Sequence, residues 1–152
     1  MGYNPANYDL LATVRHEINE VLGTVSAVGD SSTTIATVDL FRYSAAGLRS
    51  FATGVGAAGV PSYFSINGGV TNLAGYNSSG SGDTGDFDST VVRVQNAFGT
   101  PGPLGIVDMG VEARMLDVVG FNRVTAVPEP ETCALMLAGL GALSLLVRRR
   151  KL

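Results

Sequence analysis

His16 and Glu20 stand four residues apart with Glu17 beside the histidine, in the run His16-Glu17-Ile18-Asn19-Glu20-Val21-Leu22-Gly23. On an α-helix four residues make about one turn, so an imidazole and a carboxylate at this spacing can reach one ion, with Glu17 offset next to them. The chain has a single histidine and a single cysteine, Cys133, which lies in an apolar run near the C-terminus. An intramolecular site can therefore hold only one imidazole. Catalytic zinc sites commonly use two or three nitrogen donors, or thiolates. A site built from His16, Glu20 and a third donor such as Asp30 or Asp39 is oxygen-rich instead. Its two carboxylates neutralise a divalent ion and reduce its Lewis acidity, so bound water is less acidic and hydrolysis is weak or absent. The expected cofactor is zinc or another divalent cation, with hard-ion binding, or no ion at all, gaining ground over catalysis.

The element that must position these groups is an amphipathic helix over Asp9 to Gly23. Leu10, Val14, Ile18, Val21 and Leu22 recur at three- and four-residue spacing, Asp9 is placed to cap the helix, and Gly23 ends the pattern. The apolar stripe is expected to cover a sheet, with Arg15, His16, Glu17, Asn19 and Glu20 on the polar side. Further along, Ser31 to Val38 is β-branched and rich in threonine, and Asp39 to Ser44 reads as a loop or short turn of helix. Ser62 to Ile66 and Val70 to Leu73 flank Asn67-Gly68-Gly69, a hairpin signature in which glycine makes positive φ inexpensive. Asn77 to Ser89 is a Gly, Ser and Asp loop, and Val107 to Val119 returns to helical spacing through Val111, Met115, Leu116 and Val119.

The first helix resembles the zincin motif H-E-x-x-H-x-x-G, with Glu20 in place of the second histidine. The resemblance implies His16 and Glu20 as metal ligands, Glu17 as general base and Gly23 as the turn glycine. The metzincin third-ligand position falls on Ser26. Further stretches, Asp39-Leu-Phe-Arg-Tyr-Ser-Ala, Tyr63-Phe-Ser-Ile-Asn-Gly-Gly, Gly82-Asp-Thr-Gly-Asp-Phe and Met115-Leu-Asp-Val-Val-Gly-Phe, are similar to a metalloprotease family often found with the tail described next. That likeness spans roughly residues 8 to 122. It implies an α+β fold, a small zincin-like domain over residues 1–124, N-terminally truncated because zincin strands precede the active-site helix.

Residues 125–152 form a separate tail. Val127-Pro128-Glu129-Pro130 leads into an apolar helix expected over 132–147, including Cys133, Leu137, Leu140 and Leu146, and the chain then turns basic at Arg148, Arg149, Arg150 and Lys151. The two prolines hold Glu129 in an extended, hydrogen-bond-poor segment that fits a cleft. The order of motif, apolar run and basic cluster resembles the PEP-CTERM signal of bacterial envelope proteins, which a membrane-embedded exosortase reads. That resemblance implies a C-terminal transmembrane helix in contact with lipid, and passage through the inner membrane to the cell surface or an extracellular matrix. The 15 apolar residues from Cys133 to Val147 reach about 22 Å, against a hydrocarbon core of about 30 Å. Met1 to Tyr8 has no basic start and no apolar run, so the chain reads as incomplete at its N-terminus.

The rest of the composition narrows the function. The net charge is −3 and the only lysine is Lys151, so the body lacks the clustered cations on which phosphate-backbone binding rests, and nucleic acid is not an expected partner. No serine sits in a nucleophile-elbow sequence. Asp83, Asp86 and Asp88 lack the EF-hand spacing and read as a solvated acidic loop. Against the metallopeptidase expectation stands a non-catalytic structural or adhesive protein of the cell surface or exopolysaccharide matrix, which the Gly, Ser, Thr and Asn content suits as well.

Overall fold

The computed structural model describes residues 5–28, 34–51, 60–104, 110–122 and 130–149. The chain divides into two compact units, Met1–Asn122 and Arg123–Leu152. The first contains α1 (Leu10–Asn19), a π-turn (Glu20–Thr24), a 3-10 turn (Thr37–Phe41), four short strands and α2 (Gly110–Val118). The strands are β1 (Arg42–Ala45), β2 (Leu48–Arg49), β3 (Tyr63–Phe64) and β4 (Ala74–Gly75), ordered β2-β1-β3-β4 with every neighbour antiparallel.

Local chemistry explains most of these elements. Asp9 caps α1, its carboxylate accepting the N–H groups of Leu11 and Ala12, two of the donors a helix start leaves unpaired. Leu104 N–H adds a third bond from a distant segment, and these contacts hold the Asp9 carboxyl below the usual range. The helix then widens into the π-turn and stops at Gly23, whose φ of 106° only glycine adopts readily. The turn between β3 and β4 places Gly68 and Gly69 at φ 73° and 83°, as the Asn-Gly-Gly signal implies. A methyl at Gly69 would meet the Ala45 carbonyl and the Tyr43 ring, both at 2.7 Å.

Val38, Phe64, Ala74, Tyr76, Phe87 and Met115 form the core, with Phe41, Val111, Val118 and Val119 packed around it. Tyr76 and Phe87 lie 5.6 Å apart, centroid to centroid. The buried Arg42 guanidinium rests 4.0 Å over the Tyr76 ring and donates to the Thr84 carbonyl at 2.9 Å, so its charge is met by a π face and a carbonyl dipole. Burial lowers the Arg42 pKa and raises that of the sealed Tyr76 hydroxyl.

Three expectations need correction. The α+β class stands, but the arrangement is a small four-stranded antiparallel sheet with helices rather than a zincin-like domain carrying a membrane span; among the described residues every strand follows α1. The stripe on α1 does not cover the sheet: Leu10 is 76% exposed and Val21 87%, whereas Asn19 on the polar side is buried. Polar anchoring of His16 to Val94, Asp86 and Gln95, described below, turns that side inward. In the second unit α3 runs Pro130–Arg149, yet no helix among the described residues is long and apolar enough to cross a membrane. Its 20 residues include Glu131, Arg148 and Arg149, which leaves the apolar run short of a bilayer core.

Replacing Phe64 by alanine should cost the body about 3–5 kcal/mol in urea unfolding. Val21→Ser should stay within about 0.5 kcal/mol, because that side chain is already in water. An equal loss from both variants would contradict the inward placement of the polar side of α1.

Candidate functional site

His16 leaves the body-facing side of α1 and is fixed from both ring nitrogens. Its Nδ1 lies 2.9 Å from the Val94 carbonyl, which can only accept, so Nδ1 carries a hydrogen. Nε2 then points to Glu20 Oε1 at 3.2 Å and Asp86 Oδ2 at 3.4 Å. A carbonyl that locks one imidazole nitrogen and leaves the other free toward oxygen donors is the usual support of a metal-bound histidine. One atom each from His16, Glu20 and Asp86 lies within 4.8 Å of the other two.

The loop carrying Asp86 is held by backbone on both sides of that residue. Asn77 N–H donates to the Asp86 carbonyl, Phe87 N–H to the Gln95 carbonyl, and Ala97 N–H to the Phe87 carbonyl, at 2.8, 2.8 and 3.0 Å. The Phe87 side chain is fully buried in the core, so Asp86 is projected toward α1 from a rigid base. Gln95 closes the remaining side. Its Nε2 is 3.0 Å from Asp86 Oδ1 and 3.3 Å from His16 Nε2, and its backbone N–H reaches Glu112 Oε1 at 3.3 Å.

The hydrogen bond from Asp86 is the largest influence on His16 and outweighs the cost of burial; with Val94 and Glu20 assisting, the pKa rises to about 9. Glu20 responds oppositely to what a simple ion pair would give: burial exceeds the attraction of His16 and lifts its carboxyl above the usual range. The imidazolium therefore pairs chiefly with Asp86.

Sequence spacing brings His16 and Glu20 together, but the third acidic partner comes from elsewhere. Asp39 is fully buried and committed, accepting the Ser26 hydroxyl on Oδ1 and the N–H groups of Ala27 and Ala36 on Oδ2 at 3.0 and 2.8 Å. It ties a loop down and has nothing to offer an ion. Ser26, at the metzincin third-ligand position, is used in the same clamp. Asp30 lies outside the described residues. Asp83 and Asp88 bond within their own loop, to Gly85 N–H and to Thr90, and among the described residues only Asp86 of the three converges with His16 and Glu20. The signal for Asp86 was present in Gly82-Asp-Thr-Gly-Asp-Phe; nothing in the sequence singles out Gln95. Glu17 is exposed and lines, with His16, Asp86 and Arg93, a cleft of about 210 Å³. Arg42 is turned to Thr84 and Tyr76 and serves the core.

In the second unit, Leu137 and Leu140 are exposed along α3, as is Arg148, and Pro130 occupies the first helical position, where its missing N–H costs nothing. Arg149 ends the helix, and the side chains of Cys133 and Leu146 are not described. Val127, Pro128, Glu129 and Arg150 lie outside the described residues. Residues 126–151 match the PEP-CTERM protein-sorting motif. The motif marks an exported cell-envelope protein addressed to an exosortase. No curated protein and no solved structure matches the chain.

The His16 shift has a definite sign in the metal-free protein. The folded pKa of about 9 lies above the ordinary 6.5, so the stabilisation is complete below about pH 6.5 and disappears as pH rises through about 9. With a chelator present, the urea midpoint should fall between pH 6 and 10 in the wild type, and His16→Ala should remove most of that slope; an unchanged slope would exclude the Asp86 pairing.

Proposed function

We propose that the protein is an exosortase-processed envelope protein whose body is a divalent-cation-binding domain of degenerate metallopeptidase type, presented at the cell surface or in the extracellular matrix. His16, Glu20 and Asp86 are the ligands. The observation that carries this reading is the aim of His16 Nε2 into two carboxylates while Val94 holds Nδ1. A lone pair facing two anions requires a positive charge between them, and a divalent ion fits that demand as well as a proton does. Had His16 and Glu20 faced bulk water, a purely structural helix would have been the better reading.

Hydrolysis is supported by one further observation. Glu17 borders the same cleft as His16 and Asp86, where a base for ion-bound water belongs. With one nitrogen and two carboxylate donors the ion is a weaker Lewis acid than in a typical zinc peptidase, so turnover should be slow.

Elemental analysis of the purified full chain, equilibrated with zinc, manganese or calcium and then passed through a desalting column, should give close to one equivalent of ion. His16→Ala should abolish it. Glu17→Gln should retain the ion and lose any cleavage of a peptide library. Absence of both ion and cleavage would leave the structural or adhesive role. For the tail, Pro128→Ala together with Pro130→Ala should block surface delivery, read by protease accessibility on intact cells; unchanged delivery would count against exosortase recognition.

A further inference from the structure

Gln95 is 1% exposed, and its carboxamide is half satisfied. Nε2 donates to Asp86 Oδ1 at 3.0 Å and lies 3.3 Å from His16 Nε2, where it faces the hydrogen of the imidazolium rather than an acceptor, while Oε1 is buried without a hydrogen-bond partner. Buried carbonyl oxygens rarely go unpaired, and an exception in a native fold calls for a physical reason. In the metal-free arrangement the amide N–H groups flank the imidazole and the carboxylate, which lie 3.4 Å apart. An ion entering between them would meet donor hydrogens, which repel it.

Half a turn about the Cγ–Cδ bond exchanges the two ends of the amide. The oxygen then takes the place of Nε2, about 3 Å from the Asp86 oxygen and the His16 nitrogen. Ligand atoms around a six-coordinate ion with bonds of about 2.1–2.4 Å sit roughly 3.0–3.4 Å apart along each octahedral edge, which is the spacing found here. The displaced NH2 group needs an acceptor. Glu112, which already receives the Gln95 backbone N–H, has a buried Oε2 without a partner.

We propose that Gln95 is the fourth protein ligand of the site, its carboxamide turning end for end so that Oε1 joins His16, Glu20 and Asp86 around a hard divalent cation. One nitrogen and three oxygens with room for water suit an ion such as manganese or calcium. This inference rests on the cation site proposed above and adds a ligand that changes its orientation on binding.

Titration of the full chain with Mn2+, followed by calorimetry and by the loss of the free-ion electron paramagnetic resonance signal, tests both layers separately. Gln95→Leu should weaken Mn2+ binding about tenfold or more. Gln95→Glu, which keeps an oxygen donor, should bind at least as tightly as wild type. Wild-type binding that Gln95→Leu leaves intact would overturn the Gln95 assignment and spare the three-residue site. No binding by the wild type would overturn both. Because Gln95→Leu can also disturb the core, Ca2+ titration of the unsubstituted protein gives an independent measurement. The Gln95 side-chain amide resonances should shift in 15N-resolved spectra as calcium saturates, and their failure to move in a calcium-bound protein would equally exclude ligation.

Discussion

The hydrogen bond between His16 Nδ1 and the Val94 carbonyl is the constraint on which the body's arrangement turns. It joins the first helix to a loop 78 residues later in the chain and decides which side of that helix faces inward. With the ring held there, Nε2 faces Glu20, Asp86 and the Gln95 amide, and the polar side of α1 becomes the packed side. Leu10, Val14, Ile18 and Val21 are left in water as a result. Amphipathic pattern and specific polar contacts compete here, and the polar contacts prevail because the Asp86 carboxylate and the Val94 carbonyl that His16 engages are carried by buried residues beside the core.

That core is small and does two jobs. Phe87 anchors the loop that projects Asp86, and Met115 with Val111 seats α2, which brings Glu112 to the Gln95 backbone. The cluster is thus supported at one remove by apolar burial: His16 and Glu20 sit on the first helix and its π-turn, while Asp86 sits on a loop whose next residue, Phe87, is locked in the core. A carboxylate such as Asp39, equally buried, illustrates the opposite use of the same chemistry. Its oxygens are filled by one hydroxyl and two N–H groups, and its work is to hold the turn after Ala36.

Much of this was legible in the residues alone. The cap at Asp9, the stop at Gly23 and the Gly68-Gly69 turn follow from backbone chemistry that acts over a few residues, and such rules transfer well from sequence to structure. The pairing of His16 with Glu20 is likewise a matter of helical pitch. Asp86 was harder, because its approach to His16 depends on a loop closed by long-range hydrogen bonds, and its spacing to Asp83 and Asp88 suggested only a solvated acidic stretch. Gln95 was invisible: a glutamine in a loop carries no periodic signal. The orientation of α1 was misjudged because hydrophobic spacing identifies a stripe without saying that anything covers it. In the tail, the residues identify the sorting motif, while among the described residues no helix is long and apolar enough to cross a membrane.

The chain has no tryptophan, so its near-ultraviolet optical activity comes from its tyrosines and phenylalanines. Tyr76 is placed to contribute to that signal: its ring is held between the Arg42 guanidinium and Phe87, in the asymmetric surroundings that give an aromatic chromophore strong circular dichroism. Because Phe87 follows Asp86 directly, the tyrosine band is a built-in optical gauge of whether the loop that carries Asp86 is seated.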